Sequence, residues 1–171
     1  RVDDLEVRRQ TVLSGILLGR AKVLDVGAEA ALRRRQGPAA AEKIAAAAKL
    51  AEQAAAEFPR SKALDPGLRR KLTYLALRTA EFDALQELVL TRLAPVPGGA
   101  GAGMFKTEVG QEFYQRVMNA NPSRNAGRAL PVDSVNWADT QEFCERLAWL
   151  LGRKVRLPSE AEFRAAAAGS A

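Results

Sequence analysis

Residues 94–103 read Ala-Pro-Val-Pro-Gly-Gly-Ala-Gly-Ala-Gly, and no single helix or strand can run through them. Pro95 and Pro97 lack backbone donors, and a run of glycines makes ordering costly. The segment reads as a Pro/Gly linker and domain boundary. It leaves a front part, residues 1–93, and a back part, residues 104–171, each to be read by its own pattern.

The front part predicts helices. From Asp3 to Arg35, Leu5, Val12, Ile16, Val23, Val26 and Ala30 fall on one stripe, the pattern of a helix packed along a single seam. Acidic Asp3, Asp4 and Glu6 open this helix. Arg33-Arg34-Arg35 close it ahead of Gln36-Gly37-Pro38, in keeping with the helix dipole. Gly15 and Gly19 weaken it by up to ~1 kcal/mol each against alanine, or admit a close neighbour. A second helix, Pro38 to Phe58, is rich in alanine, with a thin stripe of Ile44, Ala48, Ala51, Ala55 and Phe58. A third is expected from the Asp65 N-cap and Pro66 through to Leu93. Leu68, Leu72, Leu75, Phe82 and Val89 line one side of it, and Leu77, Leu85, Leu88 and Leu90 a second. A helix apolar on two sides is usually sandwiched. The expectation is an antiparallel three-helix bundle or an open helical hairpin. Leu77 and Leu88 are its candidate protein-binding residues, because one small bundle cannot bury both faces.

Charge follows the same division. Residues 1–95 hold 17 Lys/Arg against 12 Asp/Glu, and residues 96–171 hold 9 against 8. The excess reads as a solvated helical face. Arg33-Arg34-Arg35 and Arg69-Arg70-Lys71 are the places where phosphate could be met, but no aromatic interleaving accompanies them, so no nucleic-acid partner is expected. With no histidine and one cysteine, Cys144, the chain has no His-based metal site, no Ser-His-Asp or Cys-His catalysis and no internal disulfide. No apolar run is long enough for a membrane span, and Arg1-Val2-Asp3-Asp4 shows no leader pattern. A reducing, cytoplasmic setting is expected. The lack of an initial Met suggests a piece of a longer product.

In the back part, Thr107 to Met118 reads as a short helix, Asn121 to Arg128 as a loop of turn formers, and 131–135 as an extended run anchored by Val132 and Val135. Asn136 caps a helix from Trp137 to Leu151, with Asp139 as a partial capping box and Thr140, Phe143, Cys144, Leu147 and Leu151 as its buried stripe. Gly152 stops it. Lys154-Val155-Arg156-Leu157 is a candidate strand, Pro158 breaks it, and Ser159-Glu160-Ala161-Glu162 is a full capping box opening a last helix.

Each signal is common; their order over about 65 residues is not. Asn121-Pro122-Ser123, then Pro131-Val132 and Val135 ahead of Trp137, then Phe143-Cys144, then Gly152-Arg153 and Arg156-Leu157-Pro158 before Glu160 and Glu162 resemble the formylglycine-generating enzymes, the sulfatase-modifying factors. The resemblance covers about residues 104–169 and is to the N-terminal portion of that domain. It implies an α+β chain, in which the helical part precedes a truncated domain of C-type-lectin-like fold. In that family copper and calcium are bound and an active cysteine pair lies later in the domain. The resemblance therefore places no cofactor or metal ligand in this chain. It assigns Asn121, Pro122, Ser123, Trp137, Cys144, Leu157, Pro158, Glu160 and Glu162 structural roles within the motif. Gly110, where the family usually has Thr or Ser, is a departure that weakens the helix start beside it.

Cys144 lies on the apolar side of its helix and reads as an inert buried thiol. Glu160 and Glu162, two residues apart, do not face each other as an acid–base pair would. Asp133 and Asp139 lack the spacing of a calcium loop. Trp137 and Trp149 read as core or rim packing. The reading is of a non-catalytic protein-binding or regulatory module of a bacterial signalling protein. Its partner is another protein chain or the remainder of the same domain. The alternative is the N-terminal portion of a copper-dependent oxidase that converts a sulfatase cysteine to formylglycine.

Overall fold

The computed structural model describes residues 2–97 and 102–168. They form two compact units. One comprises the chain up to Asp83 together with Trp149–Arg153, and the other runs from Ala84 to Ala148 and resumes at Lys154. Helices dominate, with one two-stranded sheet among the described residues, as expected for an α+β chain.

The first unit is built on α1 (Val2–Arg33), α2 (Gly37–Glu57) and α3 (Pro66–Ala76). α1 ends in a Schellman arrangement, with Gln36 N donating to Ala31 O and Arg35 N to Leu32 O, both at 2.9 Å. Arg35 itself takes the left-handed conformation, φ 58°, where glycine is the usual choice. A Cβ at Gly37 would lie 2.6 Å from the Asp83 carboxylate, which would have to shift to admit it. Pro38 then sits in the first turn of α2. Leu18 and Ala21 of α1, Ala47, Ala51 and Ala54 of α2, and Leu68 and Leu72 of α3 form the core. The alanines let backbones approach closely but bury little area. The large side chains carry most of the stabilisation, at ~1.5–3 kcal/mol for each one fully buried.

The seam of α1 differs from the expected one. Leu5, Val12, Ile16, Val23 and Val26 are 58–73% exposed, while Ser14, Leu18, Ala21, Asp25, Ala28 and Leu32 are buried. Both stripes have four-three spacing. The buried one is the less hydrophobic of the two, since it contains a serine and an aspartate. Partners across the fold make their burial possible: Ser14 Oγ meets Ser61 Oγ, and Asp25 meets Lys71.

The third helix is also shorter than its pattern suggests. α3 stops at Ala76, a 3₁₀ turn occupies Thr79–Glu81, and α4 covers Phe82–Leu90. At the break Arg78 is buried with its guanidinium 4.2 Å from the Tyr74 ring centroid. No glycine or proline marks this turn.

In the second unit, β1 (Leu93–Pro95) pairs antiparallel with β2 (Gly103–Phe105), Leu93 opposite Phe105. The ends of the Pro/Gly segment are thus in a strand pair; its residues 98–101 lie outside those described. Phe105, Phe113 and Phe143 meet edge to face at 5.8 Å centroid separations, and Tyr114 stacks on Phe143. These side chains join the hairpin, α5 (Gln111–Met118) and α6 (Trp137–Leu151). α5 starts four residues later than expected, after Gly110 bridges Pro131. The expected strand at 154–157 is irregular chain; Arg156 instead reaches forward to Glu162 in α7 (Glu160–Ala168).

Candidate functional site

A groove of about 560 Å³ opens in the first unit. Leu18 of α1, Ala51 and Ala55 of α2, and Thr73, Tyr74 and Leu77 at α3 line it, together with the Leu64–Pro66 turn. The sequence explains the opening. Alanines on α2 leave space where larger side chains would fill it, and the Asp65 cap fixes where α3 begins, accepting from Leu68 N at 3.0 Å. Leu77 stands 76% exposed at the margin.

Charge is confined to the rim. Arg69 spans from α3 to Glu52 of α2 with two hydrogen bonds, at 2.7 and 2.9 Å. These hold the Glu52 carboxyl below its ordinary range. Hydrogen bonding and attraction to Lys22 act on Asp65 in the same direction, after its bond from Leu68 N. Arg70 lies over the Trp149 ring, 5.3 Å from its centroid. Lys71 is buried between Asp25 and Glu29. The triplet Arg69-Arg70-Lys71 is therefore spent on three separate contacts and is no phosphate patch. An apolar groove with its rim charges already engaged suits apolar side chains of another molecule rather than bond-making chemistry.

Leu88, the other residue expected at a binding face, is half-buried on α4 in the second unit, whereas Leu77 belongs to the first. Neither unit brings the two together.

The loop from Asn121 to Pro131 gathers around one side chain that the sequence motifs do not include. Gln111 is buried and makes four hydrogen bonds. Its Nε2 donates to Asn125 O (2.9 Å) and Pro131 O (3.2 Å), and its Oε1 accepts from Asn121 Nδ2 and Gly127 N, both 3.0 Å. A glutamine at the first position of a helix, followed by a turn-rich loop, was the only available signal. Asn121 also accepts from Ser123 N, and Asp133 Oδ1 accepts from Arg124 N while Ser123 Oγ accepts from Asp133 N. Bonds from Ser134 and Arg124 hold the Asp133 carboxyl low.

Pro122 and Pro158 are exposed, and Leu157 is half-buried. Trp137 is 71% exposed at the start of α6, so it is not the core or rim packing expected of it. Beside it, Asn136 N donates to Asp139 Oδ2 and Asp139 N to Asn136 Oδ1, both at 3.0 Å. Ser159 and Glu162 form the expected capping box, and Glu160 pairs with Arg164 along α7. Cys144 is buried, and burial pushes its thiol pKa up, away from the reactive thiolate. Among the described residues no three His, Cys, Asp or Glu side chains gather as metal ligands.

No helix among the described residues is long and apolar enough to cross a membrane. No curated protein and no solved structure matches the chain. Residues 98–171 match the model of the Sulfatase-modifying factor enzyme 1-like domain. The match lies in the back part of the chain, where the order of motifs resembles that family.

Proposed function

We propose that the chain is a protein-recognition module of a bacterial signalling protein, in which a helical unit is joined to a sulfatase-modifying-factor segment used for binding or regulation. The observation that carries this reading is the groove beside the exposed Leu77. Soluble chains rarely leave a large apolar surface open without an interaction to fill it. The buried thiol of Cys144, with its raised pKa, supports a structural role for the chain's one cysteine. Under the same proposal the complete domain has the C-type-lectin-like fold of its family, supported by the family match over residues 98–171. The partner is another protein chain or the remainder of the domain.

That match equally favours a second reading, the N-terminal portion of a formylglycine-generating oxidase. Photo-crosslinking separates the two. A benzophenone side chain at Leu77, in the parent protein in its own cells, is expected to give one discrete protein adduct. The same group at exposed Arg34 should give none. Equal labelling at both positions, or cysteine-to-formylglycine conversion by the chain supplied with copper and oxygen, would overturn the reading.

A further inference from the structure

The stripe exposed on α1 is a second surface, carried by side chains pointing away from the buried Leu18. We infer that it is a self-association seam, on which two copies of this chain pair their α1 helices antiparallel.

Spacing is the first ground. Leu5, Arg9, Val12, Ile16, Gly19, Val23, Val26 and Ala30 follow one another at alternating four- and three-residue steps. That is the repeat by which one helix seats along another. It runs roughly 37 Å at the helical rise of ~1.5 Å per residue. Within the chain it touches little, since the five large apolar residues on it are all more than half exposed.

Glycine is the second. Gly19 lies on the seam and Gly15 beside it, and a Cβ at either would meet nothing within 4 Å. Nothing in the fold of one copy requires glycine there, yet each weakens a 32-residue helix. Close approach by a second helix supplies the missing requirement.

The third ground is complementarity, which selects the occupant and its direction. In a parallel pair every seam residue meets its own copy. Gly19 would face Gly19 across a void, and Arg9 would face Arg9 with like charge. In the antiparallel pair, Leu5 meets Ala30, Arg9 meets Val26, Val12 meets Val23 and Ile16 meets Gly19 of the other copy. The two largest apolar side chains, Leu5 and Ile16, then sit against the two smallest residues of the seam, Ala30 and Gly19. The acidic first turn, Asp3 and Asp4, comes against the basic end at Arg33, Arg34 and Arg35. A surface that complements itself under a two-fold rotation is what an isologous dimer needs.

Sedimentation equilibrium on the full chain tests this. The expected mass is twice the 18.5 kDa of one copy. Val12→Glu combined with Val23→Glu should weaken association by at least tenfold. The helical circular dichroism and the melting temperature should hold, because both side chains are exposed. Gly19→Leu should also weaken association, although it favours the helix itself. For direction, chains carrying Val12→Cys and Val23→Cys are mixed under mild oxidation. The mixed disulfide should form, and Val12→Cys alone should not cross-link. A single-copy mass at every concentration overturns the proposal, as does efficient cross-linking of Val12→Cys to itself. This surface is independent of the groove, so a monomer that still cross-links at Leu77 would remove this inference and leave the functional reading intact.

Discussion

The ammonium of Lys71 lies 2.8 Å from Asp25 Oδ2, and both side chains are almost wholly withdrawn from solvent. Glu29 Oε1 completes the arrangement at 2.6 Å. α1 and α3 are thereby joined by charge at a place where a small-residue core offers little apolar area.

Removing the cation alone should be costly. Lys71→Ala leaves Asp25 and Glu29 without their common partner, and a stranded buried charge costs ~3–5 kcal/mol. Lys71→Met combined with Asp25→Leu should recover most of that loss, because apolar replacement of a buried pair is often neutral. Urea denaturation of the two variants checks the difference. Equal destabilisation by both would mean that packing, not charge, sets the cost.

Gln111→Ala should loosen the loop from Asn121 to Pro131. Four hydrogen bonds end on that amide. At a net ~0.5–1.5 kcal/mol each, shared with water in the variant, a loss of about 2–4 kcal/mol is expected. The Gly127 amide, which donates to Gln111 Oε1, should become fast in hydrogen exchange. Unchanged protection at Gly127 would show that the loop is held by other means.

Acid should act on the entry to α7. Hydrogen bonds from Arg156, then from Ser159, bring the Glu162 carboxyl down to about 2, below its ordinary value of 4.5. The folded pKa is depressed, so the contribution to stability is complete above the unfolded value. It is lost as pH falls from about 4.5 through about 2. Arg156→Ala should move the Glu162 carboxyl resonance back toward the ordinary range and fray α7 at a higher pH. A midpoint that does not respond to Arg156→Ala would place the cause in the capping box alone.

Local chemistry was legible in the sequence, and choices between faces were not. The Asp65 cap, the Asn136 and Ser159 boxes and the stop at Gly152 depend on residues within a few positions, and each has its expected geometry. The same holds for Phe143, Cys144, Leu147 and Leu151 of the expected buried stripe, whereas Thr140 is only half-buried. α1 carries two stripes of equal period, and hydrophobicity favoured the one that faces outward. The inward one became available only through Ser61 and Lys71, 47 and 46 residues away. The break after Ala76 depends on Arg78 folding over Tyr74, with no sequence punctuation to announce it. Gln111 was missed for a related reason: its four partners are spread across the following loop. Within the candidate groove, Leu77 could be singled out as surplus apolar surface, whereas the alanine floor beneath it could not.

The central claim is recognition through the groove of the first unit, and Leu77→Glu tests it most directly. Leu77 is 76% exposed, so the substitution should leave the melting temperature within about 2 °C of the parent, as expected for a surface change. Capture of the protein that cross-links at this position should fall by at least tenfold, the loss of ~1.4 kcal/mol or more expected of an anchor at a binding face. Full capture by a folded Leu77→Glu chain would contradict the account.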